Sequence, residues 1–526
     1  MLRKWLGNLV ENNTFAIVNS QLFMITIPTI LSLMPMKITT KQLVVWMIVV
    51  CFGLSTSAFS STDNTTFQAQ DVDTPAEPYG GINQLTQFIN RNLRIPLALQ
   101  IAKVEGQVLV EATIDTLGGV TQIHVIKGLY ADADQEAIRV VSLFKAWSPA
   151  LKATKKVAQK VIIPVNFDFD SSLEFRNGQV VNYYDANLHP VNNKKDAELY
   201  SLSKVTNAGI PMGDIVFYRI DGDSSPYYLL KYEKIRLNRE PVYGGIIADT
   251  LRQCDQVFFR NKRGRIEGPV YKFYPNGALF ETEHYLNGKI VGASQKYYPN
   301  GLLGEEKVFM LNSSTDFEYF RWHPNGQLAE VSSYSLDGDD NFKMSYTLYN
   351  LWNEQGKLLV KEGDGQAIIE KYNPASKRIV EQGKISQGLK NGNWEGYKGK
   401  DLAFLETYDL GLMITAGYVD ENGRLQAYKE RQTPPRYVRG EAELATFISS
   451  KLKSTYDKRE RIHLSFKVEL DGTLHEIALV GDAKDKAFAD DVIKILGETN
   501  GLWQPATFHG QPVAANHQMT LNISFK

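Results

Sequence analysis

The sequence predicts an α+β protein: two copies of a small module, each a helix, a β-hairpin, a second helix and a closing strand, at the ends of an antiparallel β-repeat array. Three observations predict it. An apolar pattern that starts at Gly81 returns at Gly440. Between the copies, aromatic strands are punctuated by Asn-Gly pairs whose glycines, Gly277, Gly301 and Gly326, stand 24 and 25 residues apart. The composition is that of a folding chain, with 43% hydrophobic and 22% charged residues and only 40 Gly and 20 Pro in 526, which excludes a fibre or a disordered polymer. At about 150 residues per domain, such a length asks for three or four domains.

Charge and cysteine content exclude further classes. Lys plus Arg is 58 and Asp plus Glu is 59, a net charge of −1, so no basic excess attracts a phosphate backbone and nucleic acid is not expected as a partner. The two cysteines, Cys51 in an apolar run and Cys254, cannot build a disulfide scaffold or a Cys-based zinc cluster.

Residues 1–60 form a hydrophobic N-terminal segment with two apolar runs, Phe15 to Met36 and Leu43 to Phe59. The second has no charge, follows Lys37 and Lys41, and ends in Ser57, Ala58 and Ser60, the basic, apolar, small-residue order of a signal peptide. Cleavage near residues 58–60 is the favoured expectation, with Met34 or Met36 as the true start. The alternative is an N-terminal helix that stays as an inner-membrane anchor. Residues 61–75 are polar and read as a tether.

The first module spans 76–169 and the second 433–526. Gly81, Leu85, Phe88, Ile89 and Leu93 share their spacing with Gly440, Leu444, Phe447, Ile448 and Leu452, and steps of three and four residues make each block a short amphipathic helix. Strict alternation in Val108, Val110, Ala112 and Ile114, and in Ile462, Leu464, Phe466, Val468 and Leu470, makes strands with one face in the core. Asp115 and Asp471-Gly472 are expected to close the hairpins, the latter as a tight one. The second helices follow, with Ile138, Val141 and Phe144 inward in one copy and Phe488, Val492, Ile495 and Leu496 in the other. Then come Trp147-Ser148-Pro149-Ala150 and Trp503-Gln504-Pro505-Ala506, their rings expected to cap the core. The closing strands carry Val161, Ile163, Val165 and Phe167, and Leu521, Ile523 and Phe525.

This order, with the opening Pro78-Tyr79-Gly80-Gly81 and the strand start Val104-Glu105-Gly106-Gln107-Val108, resembles the TonB C-terminal domain family. Each copy departs from the pattern. The first has Thr154 to Val157 where the second has Gly510-Gln511-Pro512-Val513, and the second opens with Pro434-Pro435-Arg436-Tyr437. The resemblance implies a Gram-negative envelope protein whose closing strand pairs with a segment of a TonB-dependent outer-membrane receptor. It also implies an inner-membrane motor complex of the ExbB/ExbD kind as energy source. The partner-binding edges would be Val161, Ile163, Val165 and Phe167, and Leu521, Ile523 and Phe525. The chain has no Pro-rich spacer, and a homodimer stays open.

The middle divides into a degenerate β-repeat region, 170–260, and clearer repeats, 261–430. Tyr274-Pro275-Asn276-Gly277, Tyr298-Pro299-Asn300-Gly301 and His323-Pro324-Asn325-Gly326 recur, and Asn-Gly suits a two-residue hairpin turn with positive φ at both positions. Asn287-Gly288 and Asn391-Gly392 suggest a second turn in each unit. This region resembles the MORN-type repeats of the YwqK antitoxin-like family.

Nothing in the sequence assembles an active site. No H-E-x-x-H pair, G-x-S-x-G elbow, P-loop or dinucleotide fingerprint occurs. His463 and His475 could face each other across their hairpin, but two ligands do not hold zinc, and Cys254 reads as a buried small residue. No catalytic, cofactor or metal residues are expected, and no enzyme. The leading expectation is a TonB-like protein that binds partners by strand addition and transduces energy for transmembrane transport. The alternative is a periplasmic or surface scaffold whose MORN-like array does the recognition, with the end modules as caps. An immunity-like role is suggested by the repeats alone.

Overall fold

In a computed structural model of the protein, the described residues are 15–18, 21–24, 66–168, 174–191, 194–221, 225–238, 253–310, 313, 315–337, 340–373, 377–452, 459–479 and 486–524. Most of the two apolar runs, and with them the cleavage region at 58–60, lies outside these residues. Within the first run Phe15–Val18 pairs antiparallel with Gln21–Met24. Among the described residues no helix is long and apolar enough to cross a membrane. The described residues divide into two compact units, the first holding those up to Tyr346 and Asn350–Leu358, the second Thr347–Tyr349 and those from Leu359 onward.

In the first unit the N-terminal module packs the helices Gly81–Asn92 and Ala131–Leu143 on a sheet made by Gly106–Ile114, Val120–Lys127 and Lys155–Phe167. Val108, Val110, Ala112 and Ile114 are fully buried, as the alternation requires. The second helix turns Ala133, Ala137, Val140 and Val141 inward, while Ile138 is only half-buried. The short helix Leu97–Ala102 after Pro96 carries too few residues to show a period in the sequence. Trp147 is buried against Phe144, ring centroids 6.0 Å apart and edge-on.

Beyond this module the unit is an antiparallel meander, each strand pairing with the next from Glu174–Arg176 to Leu328–Asp337. The Asn-Gly turns of the repeats differ from the two-residue form. At Tyr274 the N–H donates to the Ala278 carbonyl (2.8 Å) and the carbonyl accepts from the Gly277 N–H (2.8 Å), and only Gly277 takes a positive φ, +83°. This is a three-residue loop with glycine in the left-handed position, the other frequent hairpin closure. The Asn276 carboxamide accepts the Ala278 N–H at 3.0 Å and fixes it. Residues 298–302 and 323–327 repeat the pattern. The two-residue form is found at the opposite strand ends, at Asn287-Gly288 with φ of +53° and +76°.

The second unit continues the motif, with Asp364–Asn373, Lys377–Ser386, Leu389–Lys398, Asp401–Asp409 and Leu412–Val419 pairing in sequence order. Asn391-Gly392 lies inside a strand here, and the turn is formed by Gln387-Gly388. The C-terminal segment then runs through helix Glu441–Lys451, strands Arg459–Val468 and Leu474–Leu479, helix Lys486–Gly497 and strand Ala515–Ser524. Its hairpin is not the tight Asp-Gly turn. The Glu469 N–H donates to the Thr473 carbonyl at 2.9 Å, so Leu470 falls in the loop, 60% exposed. The matching bond in the N-terminal module joins Asp115 to Gly119, so Asp115 corresponds to Glu469 and Gly118 to Gly472. A Cβ on Gly118 would lie 2.2 Å from the Trp147 carbonyl, and one on Gly472 would lie 2.3 Å from that of Trp503.

The turn glycines differ in what surrounds them. Gly277 (φ +83°) has open space where a Cβ would go, whereas a Cβ on Gly326 (φ +89°) would come within 2.8 Å of Phe88 and 3.1 Å of Phe144. Alanine at either position incurs left-handed strain of about 1–2 kcal/mol, and at Gly326 overpacking adds about 1–3 kcal/mol. Thermal unfolding of Gly326→Ala should therefore show a clearly larger drop in Tm than that of Gly277→Ala, and equal drops would contradict the packing.

Candidate functional site

A partner strand needs a sheet edge with outward N–H and C=O groups, so the two closing strands are where function would be sought. In antiparallel ladders these groups alternate sides along a strand. Because the Asp115 N–H points to Gly119 across the hairpin, the even residues of Gly106–Ile114 point the other way. They bond the odd residues of Lys155–Phe167, in the pairs Val110↔Ile163 and Val108↔Val165. Lys160, Ile162, Pro164 and Asn166 then direct their backbone groups outward. Pro164 has no N–H to offer. The side chains of Ile163, Val165 and Phe167 are buried and that of Val161 is half-buried, so these four residues form the core face of the edge strand, and its solvent face carries Ile162, 50% exposed.

The outer side of this strand is partly covered. There Thr66–Phe67 pairs in parallel with Ala158 and Gln159.

In the C-terminal segment Glu469 sets the same alternation, placing Val468↔Ala515, Phe466↔His517, Leu464↔Met519 and Ile462↔Leu521 as the bonded pairs. Asn516, Gln518, Thr520 and Asn522 direct their backbone groups outward. Among the described residues no strand pairs on that side. Leu521 is buried, Ile523 pairs with Glu460, and Phe525 lies outside the described residues. His463 bonds Thr520 (2.8 Å), whereas His475 lies opposite Lys467, so the two histidines do not face each other. Among the described residues no group of three or more His, Cys, Asp or Glu is placed to hold a metal ion. Cys254 is buried.

The N-terminal module is docked on the repeats of its own unit. Its first helix sets Arg91 over the Phe320 ring, 4.7 Å from the centroid, with an ion pair to Glu306. Burial pulls the Arg91 guanidinium down to about 10, with Glu318 opposing the shift. Asn92 Oδ1 accepts the Leu303 N–H at 2.8 Å. Three successive turn glycines receive the module: Gly301 meets Arg94, Gly326 meets Phe88 and Gly356 meets Tyr79 of the Pro-Tyr-Gly-Gly opening.

The repeats also contain a feature that sequence reasoning missed. Glu281, Glu305 and Glu330 each stand four residues after a turn glycine, and Glu381 and Glu406 occupy comparable strand positions, all no more than 5% exposed. Their spacing of 24, 25, 51 and 25 was the available signal. Buried carboxylates need cations: Lys272 lies 2.5 Å from Glu281 and Arg321 lies 3.2 Å from Glu330. In the second unit Lys390 serves both Glu381 (2.9 Å) and Glu406 (3.6 Å), and Arg431 joins Glu381.

Onto this pair sits His509, from the turn between Ala506–Phe508 and Gln511–Val513. Its Nδ1 lies 2.7 Å from Glu406 and its ring stacks on Phe404 with centroids 3.6 Å apart. The turn residues His509 and Gly510 take φ of +48° and +72°, as Ala153 and Thr154 do (+47° and +66°) in the N-terminal module.

With this geometry in view, comparison with known proteins finds one family. The family model for the Gram-negative bacterial TonB protein C-terminal matches residues 92–169. This stretch is a TonB C-terminal module. Such a module is a non-enzymatic protein-interaction domain of cell-envelope proteins, and it implies a TonB-like role in energy transduction. No curated protein matches the chain.

Burial pushes the Glu406 carboxyl up, but the His509 hydrogen bond and the charges of His509, Lys390 and Arg431 outweigh it and hold it down at about 2. A depressed carboxyl stabilises the fold fully above its unfolded value of about 4.3, and that stability is lost as pH falls through about 2. Glu406→Gln should cost on the order of 3 kcal/mol at neutral pH and flatten the fall in stability between about pH 4 and 2. Urea melts across this range check it, and an unchanged slope would refute it.

Proposed function

We propose that this chain is a non-enzymatic, TonB-like cell-envelope protein that binds protein partners by adding their extended segments to a sheet edge. In this reading it passes energy from an ExbB/ExbD-like motor in the inner membrane to TonB-dependent outer-membrane receptors. The observation that carries it is the TonB C-terminal match at 92–169, supported by a closing strand, Ala515–Ser524, at a sheet edge and by another, Lys155–Phe167, paired on its outer side only with Thr66–Phe67. Residues 433–526 are taken as a second module of the same type. What supports this is the shared element order and the paired contacts of Gly118 with Trp147 and of Gly472 with Trp503.

A second reading has its own observation. The N-terminal module spends Arg91, Asn92, Phe88 and Tyr79 on the repeat turns of its own unit, which is how a terminal cap covers a repeat array. On this reading the protein is a periplasmic or surface scaffold, and the MORN-like array recognises the partner.

Two measurements separate the readings. Full-length protein should be retained by an immobilised N-terminal segment of an outer-membrane receptor, and absence of retention removes receptor coupling. Intact mass and N-terminal sequence from fractionated cells should show an uncleaved N-terminus in the inner membrane if the chain transduces energy directly. A start near residues 59–61 in the soluble envelope fraction would leave partner binding or scaffolding.

A further inference from the structure

We infer that the two closing strands divide the labour: Ala515–Ser524 accepts the partner's extended segment, and Lys155–Phe167 is closed to it. This rests on the strand-addition reading above and assigns it to one edge.

Three differences between the edges lead here. The first is backbone chemistry. Along Lys155–Phe167 the outward positions are Lys160, Ile162, Pro164 and Asn166, so the N–H in the middle of the free stretch is missing. Along Ala515–Ser524 the outward positions are Asn516, Gln518, Thr520 and Asn522, and each keeps its N–H. Proline at an outward position is a recognised means of stopping strand addition.

The second difference is charge. Lys155–Phe167 carries Lys155, Lys156 and Lys160, whereas the ten residues of Ala515–Ser524 include no Lys, Arg, Asp, Glu or Pro. Lysine on an edge strand opposes pairing because an added strand would have to desolvate it. The third is cover. Thr66–Phe67 occupies the outer side of the N-terminal edge at Ala158 and Gln159. No strand among the described residues occupies the outer side of Ala515–Ser524.

The side chains define the segment this edge fits. On the core side Met519 and Leu521 are buried in a row that an added strand would extend with apolar residues. On the solvent side Asn516, Gln518 and Thr520 are exposed, with Arg461 and His463 exposed on the neighbouring strand. The partner is therefore an extended protein segment of alternating pattern, apolar toward the helices and polar or acidic toward solvent.

Hydrogen exchange on the full-length protein tests the assignment, with the N-terminal segment of an outer-membrane receptor as one probe and a soluble peptide of alternating Thr and Val as a sequence-neutral second. The expected result is new protection at the amides of Gln518, Thr520 and Asn522, with none at Lys160, Ile162 and Asn166. Gln518→Pro removes an N–H that the module's own ladder does not use and should weaken binding at least tenfold, whereas Ile162→Pro should leave it unchanged. Protection at Ile162 and Asn166, or loss of binding in Ile162→Pro alone, overturns the assignment. Protection at Ala515–Ser524 by the Thr-Val peptide with none from the receptor segment would keep the edge and remove the receptor from the function. Protection by neither peptide overturns both.

Discussion

Much of this molecule depends on turn glycines held at positive φ, because each both closes a hairpin and leaves a bare stretch of backbone. At Gly301, Gly326 and Gly356 that bare backbone is where the N-terminal module rests, with Arg94, Phe88 and Tyr79 standing where a Cβ would project. At Gly118 and Gly472 it lets a tryptophan carbonyl approach inside each module. The hydrogen-bond pattern of the turn thus supplies both the strand order of the repeats and the surface on which a folded module packs.

Legibility from sequence followed the range of the interactions involved. Alternation of period two placed Val108 to Ile114 and Ile462 to Val468 on core faces, since that pattern is local to one strand. The same rule failed at Leu470, where a three-residue loop ends the strand two positions early. Asn-Gly identified the turns of the repeats but not their form, because Pro275 and Asn276 lengthen the loop and leave Gly277 alone at positive φ. Of the proposed edge residues, the apolar ones mark the core side of the strands, and the groups free to pair belong to their polar neighbours. Pro164 was visible in the sequence, but its meaning depended on knowing that even positions face outward.

The glutamates show why burial is hard to read from composition. Glu281, Glu305, Glu330, Glu381 and Glu406 would pass as solvated strand residues, yet each is buried. They are tolerated because a cation from an adjacent strand lies close to several of them, as Lys272 does for Glu281 and Lys390 for Glu381 and Glu406. A buried pair of this kind contributes little net stability but penalises any register in which one charge loses its partner.

An edge strand with no proline and no charge has a consequence for the protein as a material. Ala515–Ser524 is a template on which any exposed strand can grow, including the same strand of another molecule. Its tendency to self-associate must rise with concentration and fall whenever the edge is occupied. The feature that suits this strand to a partner therefore also makes an unpartnered excess of the protein prone to aggregation, and ties its solubility to the supply of whatever it binds.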